Sequence, residues 1–470
     1  MSNLKEGITL KIDVLVAEIG STTTVVNAFN DINTSNPKFI GQGQAPTSVL
    51  EGDVRIGLNG SIDNLAKNLG EDKVEYEEML ATSSAAGGLK MTVHGLVYDM
   101  TARAAKEAAL GAGAIIHKVT AGRLRRTDIK AIKQIRPNII LIAGGVDYGE
   151  RDTALFNAEL IANMNLNIPI IYAGNVENQE EIKLIFEDIN SKLYIVDNVY
   201  PKIDMLNVEP TRKVIQDAFE DHIIHAPGME HVRDIVNGPI IPTPGSVMEC
   251  TKLLYEELGD LIVLDVGGAT TDLHSVTVGS EKINRILISP EPLSKRTVEG
   301  DLGVYVNMKN IVDLIGKDNL AKELAMDIDY LMENHLPIPK TNDQIKFVER
   351  LTKEAVLKAI ERHAGRIRSL YGAGGKTSIA EGKDLTEVKY IIGTGGALTR
   401  LPNRIDIMKS IAKSNTTQTL LFPTEEAKIL IDNDYIMASL GVLSKKYPQV
   451  ALMLMKKSLG IQEGYTCIQG

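Results

Sequence analysis

Short runs of β-branched and other apolar residues, each ended by glycine or a polar turn, predict the strands of this chain. The first run, residues 14–19, stops at Gly20-Ser21, and a second β-rich run follows at residues 22–29. Two strands joined by a tight turn are therefore predicted. The same plan returns at residues 261–265, which end in glycines, and at residues 273–278. The hydrophobic pattern thus predicts a duplicated strand–turn–strand unit.

Between the two copies, apolar runs alternate with segments of helical periodicity, which is typical of a parallel α/β unit. This unit is predicted over about residues 80–201. Its strands are expected near residues 115–119, 139–143, 168–173 and 193–196, and its helices near residues 100–110, 128–135, 152–163 and 179–188.

Helical patterns predominate after this unit. The segment 237–245 predicts a junction, because its three prolines would interrupt a helix. Further helices are predicted at residues 246–257, 305–332, 343–369 and 431–443. A glycine-rich hairpin or loop is predicted at residues 372–376, and a strand at residues 388–392.

Length and composition restrict the class of protein. The 470 residues, at about 150 for each core, suggest about three domains. Hydrophobic residues make up 44% and charged residues 24%, which is typical of a globular chain and excludes disordered and fibrous classes. The net charge of −10 and the absence of Trp argue against a nucleic-acid partner, which needs cations and stacking rings.

Cysteine usage and hydropathy indicate the compartment. Cys250 and Cys467 are too few for a disulfide framework, an iron–sulfur cluster or a structural zinc site. The longest apolar run, residues 139–146, is far shorter than the ~20 residues that span a bilayer. We therefore expect a cytoplasmic protein with no membrane partner, while nothing in the sequence forbids a homo-oligomer.

The two duplicated turns are candidate binding sites, because each places a carboxylate at a strand end, followed by small residues and then by hydroxyl groups. Glycine lets the backbone approach a phosphate and direct N–H groups at its oxygens, and the carboxylate can hold a Mg²⁺ shell. One such turn is typical of a hairpin corner, but two copies favour a phosphate clamp. The first turn contains Glu18, Gly20, Ser21, Thr22 and Thr23, and the second contains Asp265, Gly267, Gly268, Ala269, Thr270, Thr271 and Asp272.

A third glycine cluster stands after an apolar strand and before a predicted helix. It consists of Gly393, Thr394, Gly395 and Gly396. Small residues at such a position permit close packing of a purine face.

The order of these motifs resembles the actin, heat-shock chaperone and sugar-kinase ATPase superfamily. The resemblance implies an α/β fold with two RNase H-like ATPase halves and the nucleotide in the cleft between them. Residues 1–257 would form the first half, with the parallel α/β unit inserted at about 80–201. Residues 258–470 would form the second half, with a helical insertion and C-terminal helices.

Longer segments resemble the GlmL family, also called MutL in the setting of glutamate mutase. They are residues 80–89, 109–114, 141–145, 171–175, 242–245 and 296–303. The resemblance implies an ATP-dependent reactivating factor that removes damaged corrinoid from an adenosylcobalamin-dependent mutase, either glutamate mutase or an aminomutase. ATP and Mg²⁺ would be its cofactors, and the mutase subunits its partner.

The resemblance also implies roles for individual residues. Asp265 and Asp272 would hold the Mg²⁺ shell and orient the attacking water, the two turns would bind phosphates, and Gly393–Gly396 would face the adenosine. The superfamily usually has Asp at the first carboxylate, where this chain has Glu18. Its extra methylene moves the oxygens about 1.5 Å further out, which predicts slow hydrolysis or binding without hydrolysis.

Other interpretations are weaker. A small-molecule kinase of the same superfamily is the alternative function, but the sequence shows no base beside an acceptor hydroxyl. An activator of acyl-CoA dehydratases would need cluster-binding cysteines. The segment ending in Gly375-Lys376-Thr377 has Leu370 where a phosphate-binding P-loop needs Gly.

Two further segments stay open. The histidines at 222 and 225 could bind metal, although the following Ala-Pro-Gly favours a surface pair. Gly144-Gly145 could border a second ligand crevice, although such glycines more often permit a tight strand-to-helix turn.

Overall fold

The chain forms two compact units in a computed structural model, which describes residues 9–20, 23–85, 88–372, 375–415 and 419–461. The first unit comprises Met1–Cys250 and Ala438–Leu454, and the second comprises Thr251–Met437 and Met455–Gly470. The segment Ala438–Leu454 therefore belongs to the first unit, because it contacts mainly residues of that unit. The sequence-based division at residues 257 and 258 stays a prediction.

A five-stranded sheet begins the first unit, with the order β10-β4-β1-β2-β3. β2 pairs antiparallel with both β1 and β3, whereas β4 pairs parallel with β1 and β10. The strands are β1 (Thr9–Ile19), β2 (Thr23–Asn30), β3 (Lys38–Pro46), β4 (Lys73–Ser83) and β10 (Ile240–Pro242).

The predicted parallel unit is present as a second sheet in the first unit. All its pairings are parallel, and the order is β6-β5-β7-β8-β9. The strands are β5 (Lys90–Gly95), β6 (Ile115–Ala121), β7 (Ile139–Ile142), β8 (Ile170–Tyr172) and β9 (Leu193–Ile195).

The inserted sheet begins later than the predicted position near residue 80. Residues 80–83 are the end of β4, where Leu80 pairs with Val16 and Ser83 pairs with Ile19 of the first sheet. The apolar run at this point thus serves the first core, and the insertion starts at Lys90.

Helices cover both sheets of the first unit. They are α1 (Val54–Leu69), α2 (Arg103–Gly111), α3 (Arg126–Ile135), α4 (Asp152–Ala162), α5 (Gln179–Phe186) and α6 (Glu209–Ile223). Three more helices contain residues of both units: α7 (Thr243–Leu258), α15 (Met437–Leu443) and α16 (Pro448–Ser458).

The proline-rich junction is more ordered than predicted. Residues 240–242 form β10, and α7 begins at Thr243, so Pro244 lies in the first turn of that helix. Proline is tolerated there, because the first N–H groups of a helix have no intrahelical acceptor.

The second unit repeats the first sheet. Its order is β13-β12-β11-β16-β17, with antiparallel pairing of β11, β12 and β13 and parallel pairing of β11, β16 and β17. The strands are β11 (Leu261–Val266), β12 (Thr271–Val276), β13 (Ser294–Glu299), β16 (Tyr390–Thr394) and β17 (Lys428–Ile431). This shared topology confirms the α/β fold of two RNase H-like halves with an inserted parallel unit.

The helices of the second unit build its core. The helix α12 (Asn342–His363) buries Phe347 and Leu351 in one cluster with Leu264 of β11 and Leu273 of β12. The elements between the strands are α8 (Glu281–Asn284), α9 (Met308–Ile315), α10 (Lys317–Leu324), α11 (Ile328–Glu333), α12 (Asn342–His363), α13 (Gly395–Arg400), α14 (Arg404–Ser414) and the hairpin β14 (Arg366–Gly372) with β15 (Gly375–Glu381).

Two helix predictions in this unit are partly wrong. Residues 366–369 are strand, because the chain turns at Gly365, where a Cβ would lie 2.5 Å from the carbonyl oxygen of Glu381. The late helix starts at Met437 rather than at Ile431, which ends β17.

Within the ranges that the structure describes, none of the helices has the length and the apolar character that crossing a membrane requires.

Candidate functional site

The two predicted phosphate turns share one backbone hydrogen bond. The N–H of Gly20 donates to the carbonyl of Thr23 at 3.1 Å, and the N–H of Gly267 donates to that of Thr270 at 2.9 Å. Each turn is therefore closed by a hydrogen bond between its first glycine and the threonine three positions later. Ser21 and Thr22 lie outside the described residues.

The second turn is braced by the segment that follows β13. The carbonyls of Gly267 and Gly268 and of Ala269 accept hydrogen bonds from the backbone of residues 304–306 and from the Asn307 amide. Asn307 Nδ2 lies 2.8 Å from the Ala269 oxygen and 2.9 Å from the Gly300 oxygen. All three carbonyls are thus occupied within the unit.

The N–H groups on the same turn remain available. Among the described residues, the backbone N–H groups of Gly268, Ala269 and Thr270 have no hydrogen-bond partner. Gly268 and Ala269 are exposed. Consecutive unpaired N–H groups at a turn form a concave anion-binding surface. The turn therefore has the geometry to bind phosphate oxygens.

The carboxylates of the second turn lie on neighbouring strands. Asp265 of β11 is in register with Asp272 of β12 and with Thr394 of β16. The structure thus brings these three predicted residues to one edge of the sheet. Asp265 is half-buried.

Asp272 is engaged on both of its oxygens. Its Oδ1 accepts hydrogen bonds from Nε and Nη2 of Arg296, at 2.9 and 2.6 Å, and its Oδ2 accepts one from Thr270 Oγ1 at 3.1 Å. Arg296 is only 1% exposed. Asp272 therefore fixes the Thr270 side chain, and the sequence pattern gave no sign of its buried arginine partner.

Glu18 is anchored by residues that are far away in sequence. Its Oε1 accepts hydrogen bonds from Ser439 Oγ at 2.6 Å and from Asn27 Nδ2 at 3.3 Å, and Asn27 also donates to Ser439 at 2.8 Å. Within the first unit, α15 approaches α7 so closely that a Cβ on Gly441 would lie 1.8 Å from the Ser246 carbonyl oxygen. The longer side chain of Glu18 is thus used to reach α15.

The residues of the third glycine cluster differ in what surrounds them. A Cβ on Gly393 would lie 2.8 Å from Met408 Sδ, and one on Gly395 would lie 2.4 Å from Asp265 Oδ1. These two glycines are required by the packing of the chain itself. Gly396 is exposed with open space around its Cα, so it is the member of the cluster that a ligand can approach.

A buried carboxylate supports this loop. Asp432 Oδ2 accepts hydrogen bonds from Thr394 Oγ1 and from the N–H of Met437, both at 3.0 Å. Its Oδ1 accepts one from Ser458 Oγ at 2.7 Å. Burial raises the pKa of Asp432. The sequence predicts no role for Asp432, since its partners come from three separate elements.

Within the described ranges, the side chains form no metal site made wholly of protein ligands. Across the described residues, no three His, Cys, Asp or Glu side chains are grouped so as to hold an ion. Mg²⁺ needs only one or two carboxylates, since it keeps several waters and binds substrate phosphates. The predicted ligands Glu18 and Asp265 thus suit Mg²⁺ in donor type.

The structure describes some of the residues whose role the sequence leaves open. A Cβ on Gly145 would lie 2.7 Å from the Glu150 carbonyl oxygen, so this glycine is required by its own loop. The side chain of His222 and the residues Ala373, Gly374 and Cys467 lie outside the described residues, whereas Cys250 is buried.

Two cavities in the second unit lie apart from the predicted residues. One of about 650 Å³ is lined by residues such as Ser280, Thr386 and Phe422, and one of about 280 Å³ by Lys346 and Asn403 among others. None of the predicted site residues lines either of these two cavities.

Solved structures with a similar arrangement cover most of this chain. Nucleotide-free acetone carboxylase aligns with a TM-score of 0.42 and 11% identity over 92% of this chain and 70% of that chain. Diol dehydratase-reactivating factor in its nucleotide-free form aligns with a TM-score of 0.37 and 9% identity over 92% and 99% of the respective chains.

Sequence comparison covers the same length at higher identity. A family model described as MutL protein matches residues 14–459. Protein MutL of Clostridium tetanomorphum is 36% identical over 460 residues, which are 95% of this chain and 98% of that protein. Because both matches extend over almost the whole sequence, the chain belongs to the MutL protein family.

Proposed function

We propose that this chain is an ATP-dependent reactivating factor for an adenosylcobalamin-dependent mutase, either glutamate mutase or an aminomutase, and that it releases damaged corrinoid from that enzyme. Membership of the MutL family supports the proposal, because the sequence resemblance implies this activity. ATP and Mg²⁺ are the proposed cofactors, and the mutase subunits are the proposed partner.

The observation that carries the nucleotide-binding step is the braced second turn. Its carbonyls are bound by residues 304–307, while three consecutive N–H groups from Gly268 to Thr270 have no partner among the described residues. Such N–H groups stabilise phosphate oxygens without a change in backbone conformation. The turn at Gly20 has the same closing hydrogen bond, which supports a second set of phosphate contacts.

The side chains at the turn fit Mg·ATP in their chemistry. Asp265 supplies a half-buried carboxylate for the water shell of the ion. Asp272 holds the Thr270 side chain by accepting a hydrogen bond from its hydroxyl group. Bound Mg·ATP would supply a phosphoanhydride bond whose hydrolysis changes the affinity for the partner. Gly396 leaves space for the adenosine.

ATP hydrolysis can drive release only if the nucleotide binds two conformations of the protein with different affinities. The proposal therefore requires that ATP and ADP states differ in their affinity for the mutase. This difference is measurable without knowing the path by which the corrinoid leaves.

The test is ATP hydrolysis by the purified protein, alone and with glutamate mutase inactivated by cyanocobalamin, while mutase activity is followed after adenosylcobalamin is added. We expect recovery that requires ATP. Turnover without recovery would contradict the reactivase proposal for this mutase, and absence of turnover would contradict the ATPase proposal.

Asp265→Ala is the matching variant. We expect it to abolish Mg²⁺-dependent hydrolysis and recovery while the fold is retained, as checked by circular dichroism. Asp313→Ala is the control, because Asp313 is an exposed carboxylate on α9 of the same unit. Wild-type turnover in Asp265→Ala would remove the proposed role of Asp265.

A further inference from the structure

One edge of the inserted sheet has a concentration of positive charge that the rest of the chain lacks. Residues 115–136, which comprise β6, α3 and their connection, contain seven Lys and Arg residues and one Asp, in a chain of net charge −10. We call the exposed cations of this segment the basic surface. Its members are Arg123, Arg125, Arg126, Lys130, Lys133 and Arg136.

Acidic groups of the protein do not neutralise the basic surface. The one carboxylate of the segment, Asp128, pairs with Lys118 at 3.0 Å and accepts a hydrogen bond from the N–H of Arg125. Over the described part of the chain, the six cations of the basic surface form no ion pair with an acidic side chain. Their charge is therefore directed to the solvent.

The stability of α3 explains the cations at its C-terminal end, Lys133 and Arg136, but not the two at its start. Arg125 is the N-cap residue and Arg126 the first residue of α3. The helix dipole is positive at this end, so cations here cost free energy and acidic residues would be favoured. The segment thus retains positive charge where the helix alone would select the opposite sign.

Protection of the sheet edge explains only part of the pattern. β6 is an edge strand of the inserted sheet, and cations on edge strands prevent unwanted pairing between sheets. That argument covers Lys118, which lies on β6 and is not a member of the basic surface. It does not cover Lys130 and Lys133, because these residues lie on the helix α3 and not on an edge strand.

The chemistry of the surface favours an acidic protein as its occupant. Four of the six cations are Arg, which is enriched at protein interfaces and binds carboxylates with two hydrogen bonds. Arg123 is positioned over the ring of Phe156, at 5.1 Å from its centroid, which limits its freedom before binding. Ile115 of β6 adds an apolar group that is 40% exposed.

We propose that the basic surface docks an acidic surface of the mutase. This inference rests on the proposed function and adds to it the part of the chain that contacts the partner. Association through complementary charge is fast and depends on salt, because exposed charges are screened. The docking step is separate from the phosphate turns, which lie on other strands.

The experiment uses the full chain with four substitutions on α3 and its N-cap: Arg125→Glu, Arg126→Glu, Lys130→Glu and Lys133→Glu. The control reverses four exposed lysines elsewhere, so that the net charge changes equally. The control substitutions are Lys67→Glu, Lys213→Glu, Lys309→Glu and Lys322→Glu. Association with cyanocobalamin-inactivated glutamate mutase, recovery of mutase activity and ATP turnover are measured at low and high salt.

We expect the α3 variant to associate about tenfold more slowly than the control at low salt, with ATP turnover unchanged in both. The difference should shrink at high salt. If wild type reactivates the mutase and both variants associate equally, the inference is overturned while the proposed function stands. If wild type gives no recovery, the proposed function fails and the inference with it.

A further arm replaces the mutase by a short DNA duplex. Loss of duplex binding in the α3 variant, together with unchanged association with the mutase, would identify the surface as a nucleic-acid site and overturn the inference. Circular dichroism of both variants checks that α3 is retained. We expect it to be retained, because the helix dipole favours Glu in the first turn.

Discussion

The carboxylate of Glu18 is held by two side chains, and this predicts what a shorter acid would do. Glu18→Asp withdraws the carboxylate from Ser439 and Asn27, whose hydrogen bonds to Oε1 are 2.6 and 3.3 Å long. We expect the free energy of unfolding to fall by about 1–2 kcal/mol, while ATP turnover is kept or raised. Urea unfolding and ATPase assays measure the two effects.

Ser439→Ala provides the control for this prediction. It removes the same hydrogen bond but leaves the glutamate in place, so a double-mutant cycle should show coupling between the two positions. Additive effects on stability would contradict the proposed anchor, and complete loss of turnover in Glu18→Asp would show that the glutamate itself is needed.

The neighbouring residues Gly395 and Gly396 should respond differently to alanine. Gly395 has φ +80° and no room for a Cβ, so Gly395→Ala should lower the free energy of unfolding by about 1–2 kcal/mol or more. Gly396→Ala meets no atom within 4 Å and should leave stability unchanged while weakening ATP binding. Calorimetric titration with ATP checks this, and unchanged affinity would show that no ligand approaches Gly396.

The segment after β13 acts as a brace, which can be loosened at one side chain. Asn307→Ala removes the hydrogen bonds to the carbonyls of Ala269 and Gly300. We expect ATP affinity to fall about tenfold, because a loose turn must be ordered on binding at a cost of about 1–2 kcal/mol for each residue. Asn310→Ala on α9 is the control, and equal affinity in both variants would contradict the brace.

Much of the fold was predictable, because strands buried in a sheet are encoded by local apolar runs. Four of the five strands of the inserted unit and its helices α2 to α5 follow the predicted ones closely, whereas β5 was not predicted. The inserted unit starts at Lys90 rather than near the predicted residue 80, since residues 80–83 pair with β1, and this pairing is not written in the segment itself. Residues 366–369 at the start of β14 were predicted as helix, because most of this strand is exposed and shows no alternation of buried and exposed positions.

The candidate site was predictable only where it is local. The glycine turns are continuous in sequence, so their backbone form follows from residue type. The partners of Glu18, Asp272 and Thr394 were missed, because they come from α15, β13 and the turn after β17. Such contacts depend on the assembled fold rather than on spacing along the chain.

Three buried histidines should make the whole protein sensitive to acid. Burial lowers the pKa of His94 to about 3 and holds those of His274 and His363 well below the usual range. The unfolded chain, with a His pKa of about 6.5, then binds more protons than the folded one below that pH. Stability is therefore complete above about pH 7 and falls as the pH decreases.

The expected loss from His94 is about 2 kcal/mol between pH 7 and pH 5, and His274 and His363 change the stability in the same direction. Urea unfolding at the two pH values measures it. His94→Gln should reduce the pH dependence, and His117→Gln, at an exposed position, is the comparison variant. Equal free energies of unfolding at both pH values would contradict the prediction.

Asp432 has a consequence for anyone who shortens or tags this protein. One carboxylate joins Thr394 of the third glycine cluster to Ser458, the last residue of α16. The last residue of α16 therefore contributes to the support of this loop. A truncation that removes Ser458 would leave a buried acid with a missing donor beside the loop predicted to face the purine, and nucleotide binding would report damage made more than sixty positions away in sequence.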